Sequence, residues 1–334
     1  MGYWYDCNEQ INTVAVSTRI RLARNLKGIP FPSKMTPDQF KMVNDQVRKA
    51  IENSDLPIAK KLKYISMDDV PEIERFAMVE RHIISERFAL NHKNRAIIIS
   101  EDESVCIMIG EEDHIRIQVL IDGIQFEKAY KTAYKLDALL CKNLSIAFDS
   151  RIGFLTECPT NLGTGLRASI MLHLPLLEAN GEIKALTDSI SKIGLTVRGM
   201  YGEGTKALAS LYQISNQVTL GISEENAIDN LKIIANQLIQ KEIDYRKKLN
   251  TLKIEDRCMR SYGILKNARI LTSKELLLRA SDILLGVSLG IIESKVWPIK
   301  MIVETQPYML MKKVGEMSPK SRDVERATMV RNLL

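Results

Sequence analysis

Residues 104–120 read Ser-Val-Cys-Ile-Met-Ile-Gly-Glu-Glu-Asp-His-Ile-Arg-Ile-Gln-Val-Leu, and this stretch decides the fold class. From Ser104 to Gly110, the residues Val105, Ile107 and Ile109 share one face of an extended chain. From His114 to Leu120 the pattern returns: Ile115, Ile117 and Val119 on one face, His114, Arg116 and Gln118 on the other. Period-two alternation of this kind marks strands with one buried face. Only Glu111-Glu112-Asp113 separates the two runs, so they form a hairpin with an acidic tip. A direct antiparallel return argues against the crossovers of a wound βαβ sheet.

Working outward, the apolar run Arg95 to Ser100 predicts a strand before the hairpin. A second hairpin is expected from Gly194–Met200 to Leu211–Leu220, with Tyr201-Gly202-Glu203-Gly204 in its loop. Thr36-Pro37-Asp38-Gln39 is a helix start, with Thr at the N-cap, Pro at the first helical position and Gln three residues on. Phe40, Val43, Val47 and Ile51 then follow helical spacing. Further helices are expected from Phe126 to Cys141 and from Glu224 to about Lys248. After Asn250 the pattern is helical and leucine-rich, as from Glu275 to Leu285. The expectation is an α+β protein: a large, mainly antiparallel sheet flanked by helices over residues 1–250, then a small all-helical domain over 255–334.

The chain has 334 residues and a formal charge of +6 from 47 basic and 41 acidic groups. That excess is too dispersed for a nucleic-acid binder but suits an anionic ligand. Five cysteines at irregular spacing, without a CxxC, suggest neither a disulfide framework nor a zinc site. Reduced thiols in a cytoplasm are the expectation: Met1 to Gln10 is polar and lacks the apolar core of a signal peptide, and the longest apolar stretch, Ile283 to Ile292, is too short to span a bilayer.

Five arginines stand out by their company. Ser17-Thr18-Arg19-Ile20-Arg21 places two guanidinium groups on one face of an extended segment. Arg116 lies on the outer face of its strand, Arg167 follows the loop Asn161-Leu162-Gly163-Thr164-Gly165, and Arg198 precedes the Glu203 loop. A lone arginine is ordinarily a solvated surface group. Grouped at strand ends beside glycine-rich and acidic loops, these suit the charge spread over phosphate oxygens during phosphoryl transfer. The sequence has no Walker lysine loop and no GxGxxG that would do that work otherwise. Glu111-Glu112-Asp113 and Glu203 offer carboxylates for a cationic acceptor such as a guanidinium. Solvated acidic turns, or magnesium ligation by Glu112, account for the same residues. Cys158, before Pro159, is a candidate reactive thiol in a loop rich in amides and near cations. His82 is a lone histidine, a type more often structural than ligand-binding.

Together these segments resemble the phosphagen (guanidino) kinase family. The resemblance rests on Cys158-Pro159-Thr160-Asn161-Leu162-Gly163-Thr164, Glu111-Glu112-Asp113-His114-Ile115-Arg116, Arg198-Gly199-Met200-Tyr201-Gly202-Glu203 and Tyr212-Gln213-Ile214-Ser215-Asn216, in family order from Val14 to Lys248. Within the family the chain is most similar to the bacterial protein-arginine kinases. Ser17-Thr18-Arg19-Ile20-Arg21-Leu22-Ala23-Arg24-Asn25 falls near its start, a helical domain follows the catalytic part, and Arg322-Asp323-Val324-Glu325-Arg326-Ala327 matches a motif of that branch. Two positions depart from the family pattern: Gly110 stands in place of Asn, and Glu157 precedes the cysteine.

The resemblance implies Glu112 and Glu203 as acceptor-binding acids and Cys158 as the active-site thiol. It implies ATP binding by Ser17, Thr18, Arg19, Ile20 and Arg21, by His82 and Arg116, by Arg167, Ala168, Ser169, Ile170 and Met171, and by Arg198, Gly199, Met200, Tyr201, Gly202 and Glu203. Magnesium is implied with ATP, and no protein metal site. The implied activity is transfer of the γ-phosphoryl of ATP to protein arginines, marking proteins for a Clp ATPase and protease. A stress-gene repressor and an activator protein are further implied partners, with a homodimer as the assembly. Two alternatives stand beside it: a kinase for free arginine or another small guanidino metabolite, and an inactive adaptor that binds phosphoarginine. Near the C-terminus, Ser321 is a candidate N-cap for a helix starting at Arg322. On that helix Arg322 and Arg326 would share a face, and with Asp323 they would form an allosteric phosphoarginine site.

Overall fold

The computed structural model describes residues 3–6, 14–200, 207–248, 251–293 and 297–334. The chain runs β1 (Ala15–Arg24), α1 (Pro37–Glu52), β2 (Leu62–Ser66), α2 (Glu72–Glu80), α3 (Glu86–Leu90), β3 (Ala96–Ser100), β4 (Val105–Ile109) and β5 (Ile115–Asp122). It continues through α4 (Phe126–Asn143), the two-residue strands β6 (Phe148–Asp149) and β7 (Gly153–Phe154), β8 (Leu166–His173), α5 (Pro175–Ala179), α6 (Ile183–Ser191), β9 (Leu195–Gly199), β10 (Leu211–Asn216) and α7 (Glu224–Lys247). Five helices close it: α8 (Thr251–Asn267), α9 (Ser273–Ser288), α10 (Pro298–Glu304), α11 (Pro307–Val314) and α12 (Pro319–Leu333).

The strands form an eight-stranded sheet in the order β2-β3-β4-β5-β1-β8-β10-β9. Every described pairing in it is antiparallel, as the 104–120 hairpin foretold. The expected cap of α1 is present in full: the Thr36 hydroxyl accepts from the Gln39 amide while the Gln39 side chain accepts from the Thr36 amide. One strand is shorter than its sequence promised. β10 ends at Asn216, not Leu220, because the Asn216 side chain leaves the ladder to accept from the Ala168 amide and donate to the Leu166 and Val218 carbonyls. Val218 and Leu220 consequently lie exposed.

The two faces of the sheet are covered differently, and this positions the site. One face is buried continuously: Ile20, Leu22, Ile107, Ile117, Ile170 and Ile214 pack against residues of α1, α4, α6 and α7. The opposite face is covered at its two ends only. Ile97, Ile99, Cys106 and Met108 pack under α2 and α3. Val16, Leu120, Met171 and Leu211 pack with Trp4, Tyr5 and helices α8, α9, α10 and α12 in a single core. Between these two helical covers, strands β5, β1, β8 and β10 present polar side chains to an open cleft.

Candidate active site

Alternation sorts the candidate residues before any chemistry is considered. Ser17, Arg19 and Arg21 of β1, and Arg167, Ser169 and Met171 of β8, share the cleft face. Thr18, Ile20, Ala168 and Ile170, carried along in the same contiguous segments, do not. Ile20, Ala168 and Ile170 are part of the helix-covered core, and the Thr18 hydroxyl donates to the Gly123 carbonyl at 2.6 Å. Arg24, next in the arginine series, also falls on the far face, where it pairs with Asp137 at 2.7 Å and lies 3.5 Å from the Phe154 ring centre.

The strand register orders the cleft from end to end. Ser17 lies opposite Met171, Arg19 opposite Ser169 and Leu120, and Arg21 opposite Arg167 and Gln118. Arg116 is two residues beyond Gln118 on β5. Gln213 lies between Met171 and Arg198, and its side-chain oxygen accepts from the Arg19 guanidinium at 2.6 Å. Along β1 and β8 the cleft grades from Ser17 and Met171 to the guanidinium groups of Arg21 and Arg167, while Arg198, across Gln213 on β9, adds a guanidinium at the Met171 row.

That cluster is electrostatically crowded. Burial, then the neighbouring Arg116 and Arg167, push the Arg19 guanidinium down to about 10. Burial and the cations Arg19, Arg116 and Arg167 push Arg21 well below its ordinary value. Arg167 is lowered by burial, Arg198 and Arg116, against the opposing influence of Cys158 and Glu112. Like charges held this close, partly out of water, repel one another unless an anion joins them.

The three acids at the hairpin tip have three different situations. The Glu111 carboxylate lies 2.8 Å from the Arg116 guanidinium and accepts from the Ser85 hydroxyl at 2.6 Å and the Glu112 amide at 2.8 Å. Burial alone would raise its pKa, but Arg116 and these hydrogen bonds hold it at about 2. The buried Asp113 carboxylate accepts from the Asn25 side chain at 2.6 Å and from the Glu157 amide at 2.8 Å. It thereby ties the tip to the cysteine loop. Glu112 is different: among the described residues its carboxylate has no hydrogen-bond or ion-pair partner, and it stands near Arg167. The Glu111 role was not legible as distinct from that of Glu112; only the pairing with Arg116 separates them.

Cys158 is half-buried, with its Sγ 3.0 Å from the Thr160 hydroxyl. Its loop folds back closely on the chain: Gly163 has φ +107°, and a Cβ there would meet the Thr219 carbonyl at 2.4 Å. The Glu157 carboxylate accepts from the Ser33 amide at 3.4 Å. At Gly110, φ is +80° and a Cβ would come 2.7 Å from the Phe40 ring, so the departure from Asn accompanies an aromatic neighbour. Gly199 and Met200 line the cleft with Arg198. Tyr201, Gly202 and Glu203 lie outside the described residues.

His82 lines the same pocket, as do three residues that the sequence did not single out: Trp4, Leu120 and Gln213. Gln213 and Leu120 could have been found from alternation along β10 and β5. Trp4 could not, because it stands outside any strand or helix. Among the described residues no group of three His, Cys, Asp or Glu side chains is arranged to hold a metal ion. Nor is any described helix long and apolar enough to cross a membrane.

The C-terminal motif lies apart from the cleft. Here the helix begins earlier than the sequence suggested: Ser318, not Ser321, is the N-cap, and its hydroxyl accepts from the Ser321 amide. Pro319 fills the first position, which its fixed φ favours. The Arg322 amide is consequently used within the helix, donating to the Ser318 carbonyl. Arg322 is half-buried, whereas Arg326 is 1% exposed. Arg326 donates to the Thr305 carbonyl at 3.0 Å and the Leu271 carbonyl at 2.9 Å, and pairs with Asp323 at 2.5 Å.

Comparison with known proteins gives this geometry its family. Residues 42–245 match the model described as ATP:guanido phosphotransferase, C-terminal catalytic domain, and residues 251–334 match that of the protein-arginine kinase McsB C-terminal domain. The chain is 43% identical over 322 residues to the protein-arginine kinase of Caldanaerobacter subterraneus subsp. tengcongensis, covering 95% of this chain and 96% of that one. It is 45% identical over 331 residues to the protein-arginine kinase of Brevibacillus brevis, covering 96% and 92%. Its fold is similar to the duplicated taurocyamine kinase of Schistosoma mansoni solved with transition-state analog components, at 27% identity and a TM-score of 0.62, over 71% of this chain and 34% of that one. A lombricine kinase shares the fold at 24% identity and a TM-score of 0.62, over 72% and 70%. On sequence matched over nearly its whole length, the chain belongs to the ATP:guanido phosphotransferase family.

Proposed function

We propose that the protein transfers the γ-phosphoryl group of ATP to arginine side chains of other proteins. One observation carries this reading: a floor of crowded guanidinium groups ends beside a carboxylate, Glu112, that has no partner of its own among the described residues. The floor suits a polyphosphate, and the lone acid suits an incoming guanidinium.

In this reading Arg19, Arg21, Arg116, Arg167 and Arg198 hold the phosphate oxygens of ATP. Magnesium arrives on those phosphates as part of the substrate, as this hard ion commonly does. A guanidinium nitrogen of the acceptor attacks the γ-phosphorus while the bond to the β-phosphate oxygen breaks. ADP leaves, and the proton lost from the nitrogen passes to Glu112 or to Glu203. Catalysis is then positioning and charge neutralisation, with the acids accepting the proton and aligning the acceptor. Cys158, on a loop tied to the Glu112 turn through Asp113, borders the acceptor end.

Protein arginine is favoured over free arginine because the relatives matched over nearly their full length are protein-arginine kinases. On the same resemblance we read residues 1–250 as the catalytic unit and 255–334 as a helical unit whose Arg322, Asp323 and Arg326 serve phosphoarginine recognition. We likewise read the setting as cytoplasmic protein quality control, with a Clp ATPase and protease, a stress-gene repressor and an activator protein as partners of a homodimer.

The test is to incubate the protein with MgATP and either a folded protein or free arginine, then map acid-labile phosphate by mass spectrometry. Phosphate on protein arginines is expected. Transfer to free arginine alone would replace the reading with a small-molecule kinase, and no transfer with tight phosphoarginine binding would replace it with an adaptor.

A further inference from the structure

We infer that Trp4 is the wall of a purine subsite at the apolar end of the cleft and sets the preference for the base of the nucleotide. The inference rests on the reading that the cleft binds ATP, and it adds a residue that contacts the base.

The order of groups along the strands is the first support. The guanidinium cluster occupies the Arg21–Arg167 row and the Arg116 position beyond it. Moving the other way along β1 and β8, the cleft gains apolar groups at Leu120 and Met171 and closes against Trp4 and His82 in a pocket of about 200 Å³, whose lining also includes Arg19 and Arg198. The Ser17 and Arg21 rows are four residues apart, roughly 13 Å at the rise of a strand. A nucleoside triphosphate has the same polarity, with an apolar base at one end and its charges at the other. Phosphates over the guanidinium cluster therefore leave the base at Trp4.

Trp4 is also held in place for such a role. Its indole N–H donates to the Arg81 carbonyl at 2.8 Å, and its ring meets Tyr5 edge-on at 5.5 Å. Its ring centre is 5.5 Å from that of His82, with the planes at 56°. The turn carrying His82 is itself fixed. Its φ of 62° lies in the left-handed region that side chains rarely adopt, and its carbonyl accepts from Gln118 at 2.9 Å. Arg81, one residue earlier, is locked by Glu74 and Glu103, each at 2.9 Å.

The aromatic pair is uncharged. Burial, and then Arg19, push the His82 imidazole down to about 3, so at neutral pH it carries one donor and one acceptor. A neutral ring pair beside apolar Leu120 and Met171 suits stacking of a base, whereas a charged imidazole would add a further cation to the cluster. Packing alone is the competing account of Trp4, since it also belongs to the core shared with the C-terminal helices.

The chain has two tryptophans, so Trp297→Phe leaves Trp4 as the sole indole reporter. In that background, ATP, CTP and inorganic tripolyphosphate are titrated by fluorescence and by calorimetry. ATP should change the Trp4 emission, and tripolyphosphate, which fills only the cationic end, should bind without changing it. Trp4→Leu, which keeps apolar bulk, should weaken ATP by roughly 5- to 100-fold, the range expected for loss of a stacked base. It should leave tripolyphosphate binding within about twofold, narrow the preference for ATP over CTP, and raise KM for ATP more than it lowers kcat. ATP that binds calorimetrically with no change in Trp4 emission overturns the inference while leaving the cleft a nucleotide site. Trp4→Leu binding ATP as wild type does would overturn it too. If neither ATP nor tripolyphosphate binds, or if Arg19→Ala leaves both unaffected, the underlying reading of the cleft fails, and the inference fails with it. The fluorescence arm does not depend on the Trp4 variant folding.

Discussion

The Glu111 carboxylate lies 2.8 Å from the Arg116 guanidinium, and Glu112, the next residue, has no such partner among the described residues. Adjacent acids on a tight turn would repel each other if both were left unneutralised. Here the fold gives one of them a cation and leaves the other without one among the described residues. The two should therefore respond differently to loss of charge.

Glu112→Gln should lower turnover by roughly two to four orders of magnitude, the range for losing a positioned proton acceptor. Nucleotide affinity should be retained. Glu203→Gln is expected to behave in the same way. Glu111→Gln should instead raise KM for ATP, because it releases Arg116 from its anchor. Steady-state kinetics with protein substrate and separate nucleotide calorimetry distinguish the three. Near-normal turnover in Glu112→Gln would remove that residue from the mechanism.

Arg116→Lys and Arg198→Lys keep a positive charge but replace a planar fork with a point charge. Both should weaken ATP use despite the conserved charge. Wild-type kinetics in both variants would make these arginines ordinary surface groups.

Glu80, at the end of α2, provides a pH test. Its carboxylate accepts from the Tyr308 and Met309 amides at the start of α11, at 3.0 and 2.8 Å. Burial raises its pKa from 4.5 to about 7, with those hydrogen bonds opposing. The folded state thus holds a proton that the unfolded chain has already released. This contribution to stability is present below the unfolded value and is lost as pH rises through about 7, by up to about 3 kcal/mol. Glu80→Gln keeps an acceptor without the ionisation, so its stability should fall less than wild type between about pH 5 and about pH 8. Chemical denaturation at the two pH values measures the difference; an equal fall in both proteins would exclude Glu80 as the source.

Arg322 and Arg326 should separate in the same way as the two glutamates. Arg326→Ala removes donors from two buried carbonyls and from Asp323, and should cost roughly 3 kcal/mol of stability. Arg322→Ala, on the half-buried side of the helix, should leave the melting temperature nearly unchanged. Only the latter is therefore a clean probe of phosphoarginine binding. A destabilisation by Arg322→Ala equal to that of Arg326→Ala would contradict this division.

Much of the architecture was legible because strong periodicities carried it. The Val105–Ile109 and Ile115–Asp122 hairpin, the Thr36 capping box and the long α4 and α7 helices all follow from side-chain spacing and local chemistry. So does the common face of Arg19 and Arg21. What escaped was set by contacts distant in sequence. The order of strands across the sheet brings β1 between β5 and β8, and no local pattern encodes that. The early end of β10 depends on Asn216 meeting backbone from β8. The start of α12 was misplaced because Ser318 and Ser321 are both good caps, and Pro319 decides for the earlier one. Trp4 gave no periodic signal at all, and its place is visible only once β1, β8 and the His82 turn are assembled.

The core that joins Val16, Leu120, Met171 and Leu211 to the C-terminal helices has a consequence for modularity. Two family models divide the chain between residues 245 and 251, yet one block of apolar packing crosses that division. A chain cut near residue 250 would bare a contiguous greasy strip on the sheet, next to the pocket lined by Trp4 and His82. The halves should therefore be poor currency for domain shuffling: a catalytic piece expressed alone is expected to aggregate, and to recover solubility when residues 251–334 are supplied in trans.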